Sequence, residues 1–346
     1  MQSPAGDPNG RARVPVIDLH CHRECGAAAL MMKDEADRIG HVPLSFGSDL
    51  TKEVNRRQLV EIKPKMELVE ERLADMDRMG VDIQALAIAP YQTFYWAEPG
   101  VGAEVSRTIN DDLATLVDLH PDRFVGLGTV PLQDTAAAVT ELHRCIGDLG
   151  FKGLEIGTNV EGEEISAARL DPFWAAVEET GALVFLHPIG FTHPQRLTEH
   201  YFFNVIGHPI ENTLAIANLI FSGTLERFPD LKIVVAHGGG YLPAYAARMD
   251  HAYHAREDVR EGLPKPPGEY LRKFYFDTMV FQPDQLAFLV EKYGAEHIVL
   301  GTDYPYDMGE SDPVGLVERT PGLTDDQRTA IGGGNAARLL GLETTV

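Results

Sequence analysis

Three histidines and an aspartate stand where a metal ion could use them. His20 and His22 close the run VIDLHCH, His187 closes ALVFLHP, and Asp303 closes HIVLGTDYP. A further histidine, His237, ends LKIVVAHGGG. Imidazole and carboxylate are the donor groups of zinc sites, and manganese, iron and cobalt accept the same atoms. His20 and His22 are two apart in an extended run, so their side chains are expected on one face and Leu19 and Cys21 on the other. A His-X-His pair is a weak signal by itself. Its place at the end of the first apolar run, just after Asp18, strengthens it. His187 and Asp303 complete a set of three nitrogens and one carboxylate, which suits one divalent ion per chain, zinc first, with Mn2+, Fe2+ or Co2+ as alternatives. The competing use of such histidines is to cap strands by hydrogen bonding, which does not account for four donors at strand ends. His237 is either a further ligand or a general acid–base, and we read it as the acid–base because imidazole titrates near neutrality. The glycines after it permit a tight turn or a close approach of backbone.

These groups meet only if their strands run parallel and share one end. Eight short apolar runs fit buried parallel strands: Val16–Leu19, Ile83–Ala89, Phe124–Val130, Gly153–Ile156, Leu183–Leu186, Ile233–Ala236, Phe274–Phe276 and Ile298–Leu300. Helical patterns lie between them. MELVEERLADMDRMG carries Leu68, Leu73, Met76 and Met79 at helical spacing, with Gly80 as its stop. DTAAAVTELHRCIGDLG carries Ala138, Leu142 and Ile146, and Gly150 closes it. The alternation predicts an α/β fold, a (β/α)8 barrel, whose catalytic groups gather at the C-terminal ends of the strands. No glycine fingerprint follows the first strand, which disfavours a dinucleotide-binding fold. Residues 23–65 and 189–208 interrupt the pattern after strands one and five. Both are expected as lid or pocket loops, the alternative being surface decoration or a dimer contact. Residues 1–13 are expected to form a flexible lead and 14–346 a single barrel domain.

Composition limits the partners. The net charge of -22 and the absence of a basic stretch argue against nucleic acid and anionic membranes. No apolar run reaches the roughly 18 residues that a membrane-spanning helix needs, and the first residues lack the apolar core of a secretory signal. Cys21, Cys25 and Cys145 give no disulfide framework, so a cytoplasmic location is expected. An anionic small molecule stays admissible, because a pocket can hold its own arginines.

The motifs IDLHCH, RLADMDRMGVDIQAL, VPLQD, FLHP, LERFPDLKIVVAHGGG, KPPGEYL, VLGTDYPYDMGE and GGNAARLLGL, in this order, resemble the amidohydrolase superfamily from Val16 to Leu342. Within it, they resemble the branch of metal-dependent decarboxylases of the 2-amino-3-carboxymuconate-6-semialdehyde type. The resemblance implies that His20, His22, His187 and Asp303 are the metal ligands and His237 the acid–base. Lys152 and Glu155 do not match the bridging lysine of two-metal relatives, so one ion is expected. The resemblance further implies that Arg248 reaches a substrate carboxylate in a neighbouring subunit, with Arg256 nearby, in at least a homodimer. Arg56 and Arg57 fall in the region of another carboxylate-binding arginine, and Arg23 lies close to the ligands in sequence. Ile189 replaces an aromatic residue of that branch. The implied activity is non-oxidative decarboxylation of a carboxylated aromatic or muconate-type acid; the alternative is hydrolysis or hydration of a lactone, amide or C–C bond at the same centre.

Overall fold

A computed structural model of the chain describes residues 13–39 and 46–342. Nearly all of the expected N-terminal lead, and residues 40–45 of the first insertion, lie outside the described residues. Eight parallel strands follow one another around a barrel: β1 (Ile17–Arg23), β2 (Ile83–Ile88), β3 (Phe124–Gly128), β4 (Gly153–Gly157), β5 (Leu183–His187), β6 (Lys232–Val235), β7 (Tyr275–Asp277) and β8 (Ile298–Val299). The ring closes where the Leu19 amide donates to the Leu300 carbonyl at 2.9 Å and Cys21 bridges to Tyr304 in parallel. This is the expected (β/α)8 architecture. Ile17, Leu19, Ala85, Leu127, Phe185 and Val234 fill the interior, and the C-terminal helix Asn335–Leu340 adds Ala336, Ala337, Leu339 and Leu340 to the same cluster. A larger apolar cluster joins the outer strand faces to the surrounding helices.

One strand departs from simple alternation, with consequences for the site. A β-bulge lies between Asp18 and Cys21. Leu19 packs in the interior cluster while Cys21 joins the outer one. Leu19 and Cys21 therefore do not share a face, contrary to the strict two-residue period. The extra residue resets the alternation, so that Leu19 fills the barrel and His20, with its ring centroid 4.8 Å from Phe185, and His22 reach its mouth.

The first insertion is helical rather than a loop. It folds into α1 (Gly26–Ile39) and α2 (Asp49–Glu67), the latter capped by Ser48, whose hydroxyl accepts from the Thr51 amide. The chain turns extended at Leu68, then forms α3 (Val69–Met79). Leu68 is 51% exposed, and α3 buries Arg72 and Asp75 beside Met76. The apolar stripe was thus only part of the buried face. The buried Arg72 guanidinium donates to the His22 main-chain carbonyl and to Gln84 Oε1, and lies 4.8 Å from the Tyr304 ring. Helices α4 (Pro99–Leu119), α5 (Thr135–Gly147) and α6 (Asp171–Thr180) connect β2 to β5, with a small hairpin at residues 159–164 before α6. The second insertion ends in a π-helical turn, Phe203–Gly207, which runs into α7 (His208–Phe221). Glu211 of α7 pins it: the carboxylate accepts from the Thr192 amide at 2.8 Å and from Asn159 Nδ2 at 2.9 Å.

Candidate metal centre

All five residues read from the strand ends meet at one point. His20 Nε2 and His22 Nε2 are 3.2 Å apart. Asp303 Oδ1 lies 3.3 Å from the first and 3.2 Å from the second, and Asp303 Oδ2 lies 3.7 Å from His237 Nε2. The His187 ring centroid is 5.0 Å from those of His20 and His237 and 4.8 Å from that of His22. His20, His187, His237 and Asp303 each offer a ligand atom within 4.8 Å of the others. Donors spaced by about 3–3.5 Å are what bonds of about 2.1 Å to one ion produce.

Two observations test whether a cation fits. His187 is buried, yet neither ring nitrogen has a hydrogen-bond partner. A buried imidazole left without a partner is costly, and a metal bond would satisfy it. The donor set, imidazoles with one carboxylate, is also that of a transition-metal site. The residues therefore fit a divalent ion.

The groups of the cluster set one another's protonation. Burial alone disfavours charge on His20, but Asp303 and Asp277 on either side raise its pKa to about 10. Burial and the neighbouring imidazoles push His187 well below the ordinary histidine value, and burial also lowers His22. Burial opposes ionisation of Asp303, but the His20, His22 and His237 rings hold its carboxyl well below the usual range. One proton shared between His20 and two carboxylates thus neutralises part of the cluster, and a metal ion would displace it from Nε2.

The supporting groups were mostly invisible in the sequence. Asp277, the last residue of β7, accepts from His20 Nδ1 at 2.6 Å. Its carboxylate also accepts from the amides of His237 (3.0 Å), Gly238 (2.7 Å) and Met279 (3.1 Å). One side chain therefore orients a ligand and fixes the turn that carries His237. That turn is strained: His237 has φ 56° and is followed by three glycines with positive φ. Gly240 also lets backbone approach closely, since a Cβ there would lie 2.3 Å from the Pro209 carbonyl at the start of α7. Asn212 of α7 donates to the Ala236 carbonyl at 2.8 Å and approaches His237 Nδ1 at 3.4 Å. Asp18 accepts from the His20 amide, Gln84 and Thr302, tying β1 to β2 and to the segment before Asp303. Glu155 of β4 lies 3.5 Å from His22 Nδ1 with both oxygens unpaired, and burial pushes its pKa well above the ordinary carboxylate value. An acidic residue closing an apolar strand was the available signal for Asp277. Lys152 precedes β4, at the end of the barrel away from these groups.

Two cavities open from this floor. One, of about 300 Å³, is walled by Phe94, Tyr95 and Trp96 after β2 and by Tyr201 and Phe203 of the second insertion, with His187 and Asp303 at its base. The other, of about 840 Å³, passes His237 and opens between Tyr241, Tyr245, Phe281 and Phe288. No lysine or arginine lines either one among the described residues. Of the second insertion, Ile189, Tyr201, Phe203, Asn204 and His208 line the smaller cavity; of the first, Phe46 does.

The arginines do not converge with the metal groups within one chain. Arg23 turns to Asp112 and the Glu67 carbonyl. Arg56 and Arg57 are exposed on α2 and face Glu53. Arg256 is 64% exposed and pairs with Asp258. Arg248, on the helix Leu242–Ala255, is exposed and has no ion-pair partner among the described residues.

The family model described as amidohydrolase matches residues 17–342. The chain belongs to the amidohydrolase family. A 2-amino-3-carboxymuconate-6-semialdehyde decarboxylase from Dictyostelium discoideum is 38% identical over 273 residues, 79% of this chain and 76% of that protein. The crystal structure of 5-carboxyvanillate decarboxylase from Sphingomonas paucimobilis superposes with a TM-score of 0.81 at 26% identity, covering 96% of this chain and all of that one. A dihydroxybenzoic acid decarboxylase from Polaromonas sp. JS666, solved with bound manganese and the inhibitor 2-nitroresorcinol, gives a TM-score of 0.77 at 25% identity, covering 95% and 97% of the two chains. All three relatives are named decarboxylases, and one of them was solved with manganese bound. No helix among its described residues is long and apolar enough to cross a membrane.

Proposed function

We propose that this amidohydrolase is a metal-dependent, non-oxidative decarboxylase of a carboxylated aromatic or muconate-type acid. The observation that carries the reading is the buried cluster of His20, His22, His187 and Asp303 at the base of an aromatic cavity, with His237 at its edge. In this reading those four residues hold one divalent ion, zinc first on its donor set, with Mn2+, Fe2+ or Co2+ as alternatives; manganese occupies the Polaromonas relative. When bound, the ion supplies a Lewis acid for a substrate oxygen.

The chain's own groups do the rest. The aromatic wall excludes water and stacks a planar substrate. His237 has 15% of its side chain exposed, toward the larger cavity, whereas His20 and His22 are fully buried. That openness suits a group that exchanges protons with solvent. Its Nε2 delivers a proton to the carbon bearing the carboxylate; the C–C bond then breaks, its electrons return to the conjugated system, and CO2 leaves. Asp277 holds the His237 turn and His20 through the cycle.

Arg248 lies three residues after the exposed Tyr245 on the helix Leu242–Ala255, beside the larger cavity, and Arg256 follows the end of that helix. In the proposal this helix meets a second copy in at least a homodimer. Arg248 of the partner subunit then reaches the substrate carboxylate through a two-hydrogen-bond fork, with Arg256 beside it. The three cysteines are free and buried, which suits a reducing cytoplasm, where we place the enzyme. The test is CO2 release by the metal-loaded protein from carboxylated catechol, resorcylate and muconate-type acids. Turnover of lactones or amides with no CO2 from any such acid would favour the hydrolase alternative.

A further inference from the structure

The two cavities share a short wall, and half of it, Asn204 and His208, lies outside the family motifs quoted above. Asn204, His208, Asp303 and Met308 line both spaces. Asp303 belongs to the metal floor, which leaves Asn204 and His208 as the polar groups of the junction. His208 opens α7, and its ring centroid is 6.0 Å from that of His237, inclined by 31°. Asn204, one turn earlier, places Nδ2 3.4 Å from His208 Nδ1. An amide N–H there makes Nδ1 the acceptor, so the ring proton belongs on Nε2. The Phe203 ring packs edge-on against that of His208, with centroids 5.8 Å apart. No carboxylate pairs with the ring among the described residues, so it stands as an uncharged donor.

The charges of the smaller cavity add a second observation. Glu161, Asp303 and Asp307 line it, and no lysine or arginine among the described residues does. Asp303 serves the metal, so a second carboxylate on a substrate lying in this cavity would face Glu161 and Asp307, with no lysine or arginine among the described residues to pair with. A hydroxyl in the same place meets no such opposition and accepts a hydrogen bond from a neutral imidazole. Leaving a buried charge unpaired costs far more than leaving a hydroxyl so.

We propose that His208, oriented by Asn204, is a specificity-determining residue that donates from Nε2 to a ring hydroxyl of the substrate, and that the cavity selects acids with one carboxylate over dicarboxylates. This rests on the decarboxylase reading for the fate of the carboxylate, but the binding role of His208 stands on the cavity alone. It differs from that of His237, which moves a proton; His208 reads the ring.

The experiment compares wild type, His208→Leu and His208→Gln, each metal-loaded and checked for metal content and folding. Glutamine can place an amide N–H near the position of Nε2, whereas leucine cannot. CO2 release is followed from 2,6-dihydroxybenzoate and from the dicarboxylate 4-hydroxyisophthalate, and binding of 2-nitroresorcinol is titrated separately. Expected are a preference of about tenfold or more for the monocarboxylate in wild type, and a loss of about tenfold in 2-nitroresorcinol affinity and in KM for His208→Leu, the scale of one lost hydrogen bond. His208→Gln should recover most of that loss, and kcat should change less than KM. Equal or better use of the dicarboxylate, or His208→Leu binding as well as His208→Gln, overturns the proposal while any CO2 released preserves the decarboxylase reading. No CO2 from these or any other acid of the panel, with 2-nitroresorcinol affinity lost only in His208→Leu, supports the His208 contact and counts against the decarboxylase reading instead.

Discussion

On the barrel floor, His20, His22 and His187 come from strands β1 and β5 and Asp303 from the turn beyond β8, and the backbone that carries them is tied to the sheet. On the rim, the helices and turns of residues 26–39, 46–67 and 189–207 place Phe46, Tyr201 and Phe203 against a cavity, and most of their charged side chains are at least partly exposed. Floor groups are held by buried partners: Asp277 on His20, the Ile88 carbonyl on His22, Asn212 beside His237. Rim charges such as Arg56 and Arg256 satisfy themselves on the surface with near neighbours in sequence. The difference separates chemistry, which needs fixed distances, from substrate choice, which a helix or loop can alter without disturbing the strands.

The comparison breaks first if the floor does not bind metal. Asp303 touches three imidazoles, so Asp303→Ala removes both a ligand and the charge that gathers the others. Elemental analysis of the purified variant should find almost no bound divalent ion, and activity should vanish with it. Full metal occupancy would refute the ligand assignment. Next in size is His237→Ala. It should keep its metal, while turnover drops by about 10²-fold or more, the scale of a lost acid–base. Loss of metal in this variant would make His237 a ligand, which its 3.7 Å approach to Asp303 also permits, and would move the acid–base role elsewhere.

The same contrast governs what could be read from sequence. Buried parallel strands are apolar, β-branched and short, so all eight were visible, and a polar residue closing such a run stands out as His187 and His237 do. The bulge between Asp18 and Cys21 was not visible, because backbone pairing rather than residue type creates it. Arg72 escaped the helix pattern for a related reason. A guanidinium is read as solvent-facing, yet here the His22 carbonyl, Gln84 and the Tyr304 ring compensate its burial. Asp277 looked like the end of a strand and nothing more, since its partners lie 40 and 257 residues away. His208 carried no pattern at all, because its meaning comes from two cavities that exist only after α7 docks beside β6.

Asp277 offers a way to sharpen the comparison from beneath the floor. Asp277→Asn keeps shape and loses charge. It leaves His20 without the carboxylate that orients Nδ1, and it weakens the hold on the His237 turn. Metal affinity should fall by about 10- to 100-fold, the range for a lost partner behind a ligating histidine. The pH dependence gives an independent reading. In the cation-free protein the pKa of His20 is raised to about 10, so at neutral pH a proton occupies the ring position a metal needs. Metal binding must expel that proton, and affinity in the wild type should therefore rise by about tenfold per pH unit from pH 7 upward, until it flattens near the raised pKa. Removing the Asp277 charge lowers that pKa, so the flattening should begin at lower pH in Asp277→Asn. Competition with a chelator across pH measures both. An unchanged profile would remove Asp277 from the proton balance of the site.

The smallest effect concerns the rim across a subunit boundary. Arg248 is exposed and unpaired among the described residues of one chain, and no lysine or arginine among those residues lines the cavities it would serve. If a second copy supplies it, Arg248→Lys keeps the charge but loses the fork, and kcat/KM should drop by about tenfold, one charge-assisted hydrogen bond's worth. Arg248→Ala and His237→Ala would then each be inactive for different reasons, one defective in the residue lent and the other in the residue owned. Mixed in equal amounts and allowed to exchange subunits, half the dimers are hybrids, and in each hybrid one site has both residues intact. Recovery should approach about a quarter of wild-type activity for a two-fold dimer. Exchange demonstrated by mass-tagged subunits without any recovery would confine each site to its own chain, and full activity in a demonstrated monomer would do the same. In either case the rim arginines revert to surface charges, and the neutral donors around His208 would be left as the cavity's means of recognising its substrate.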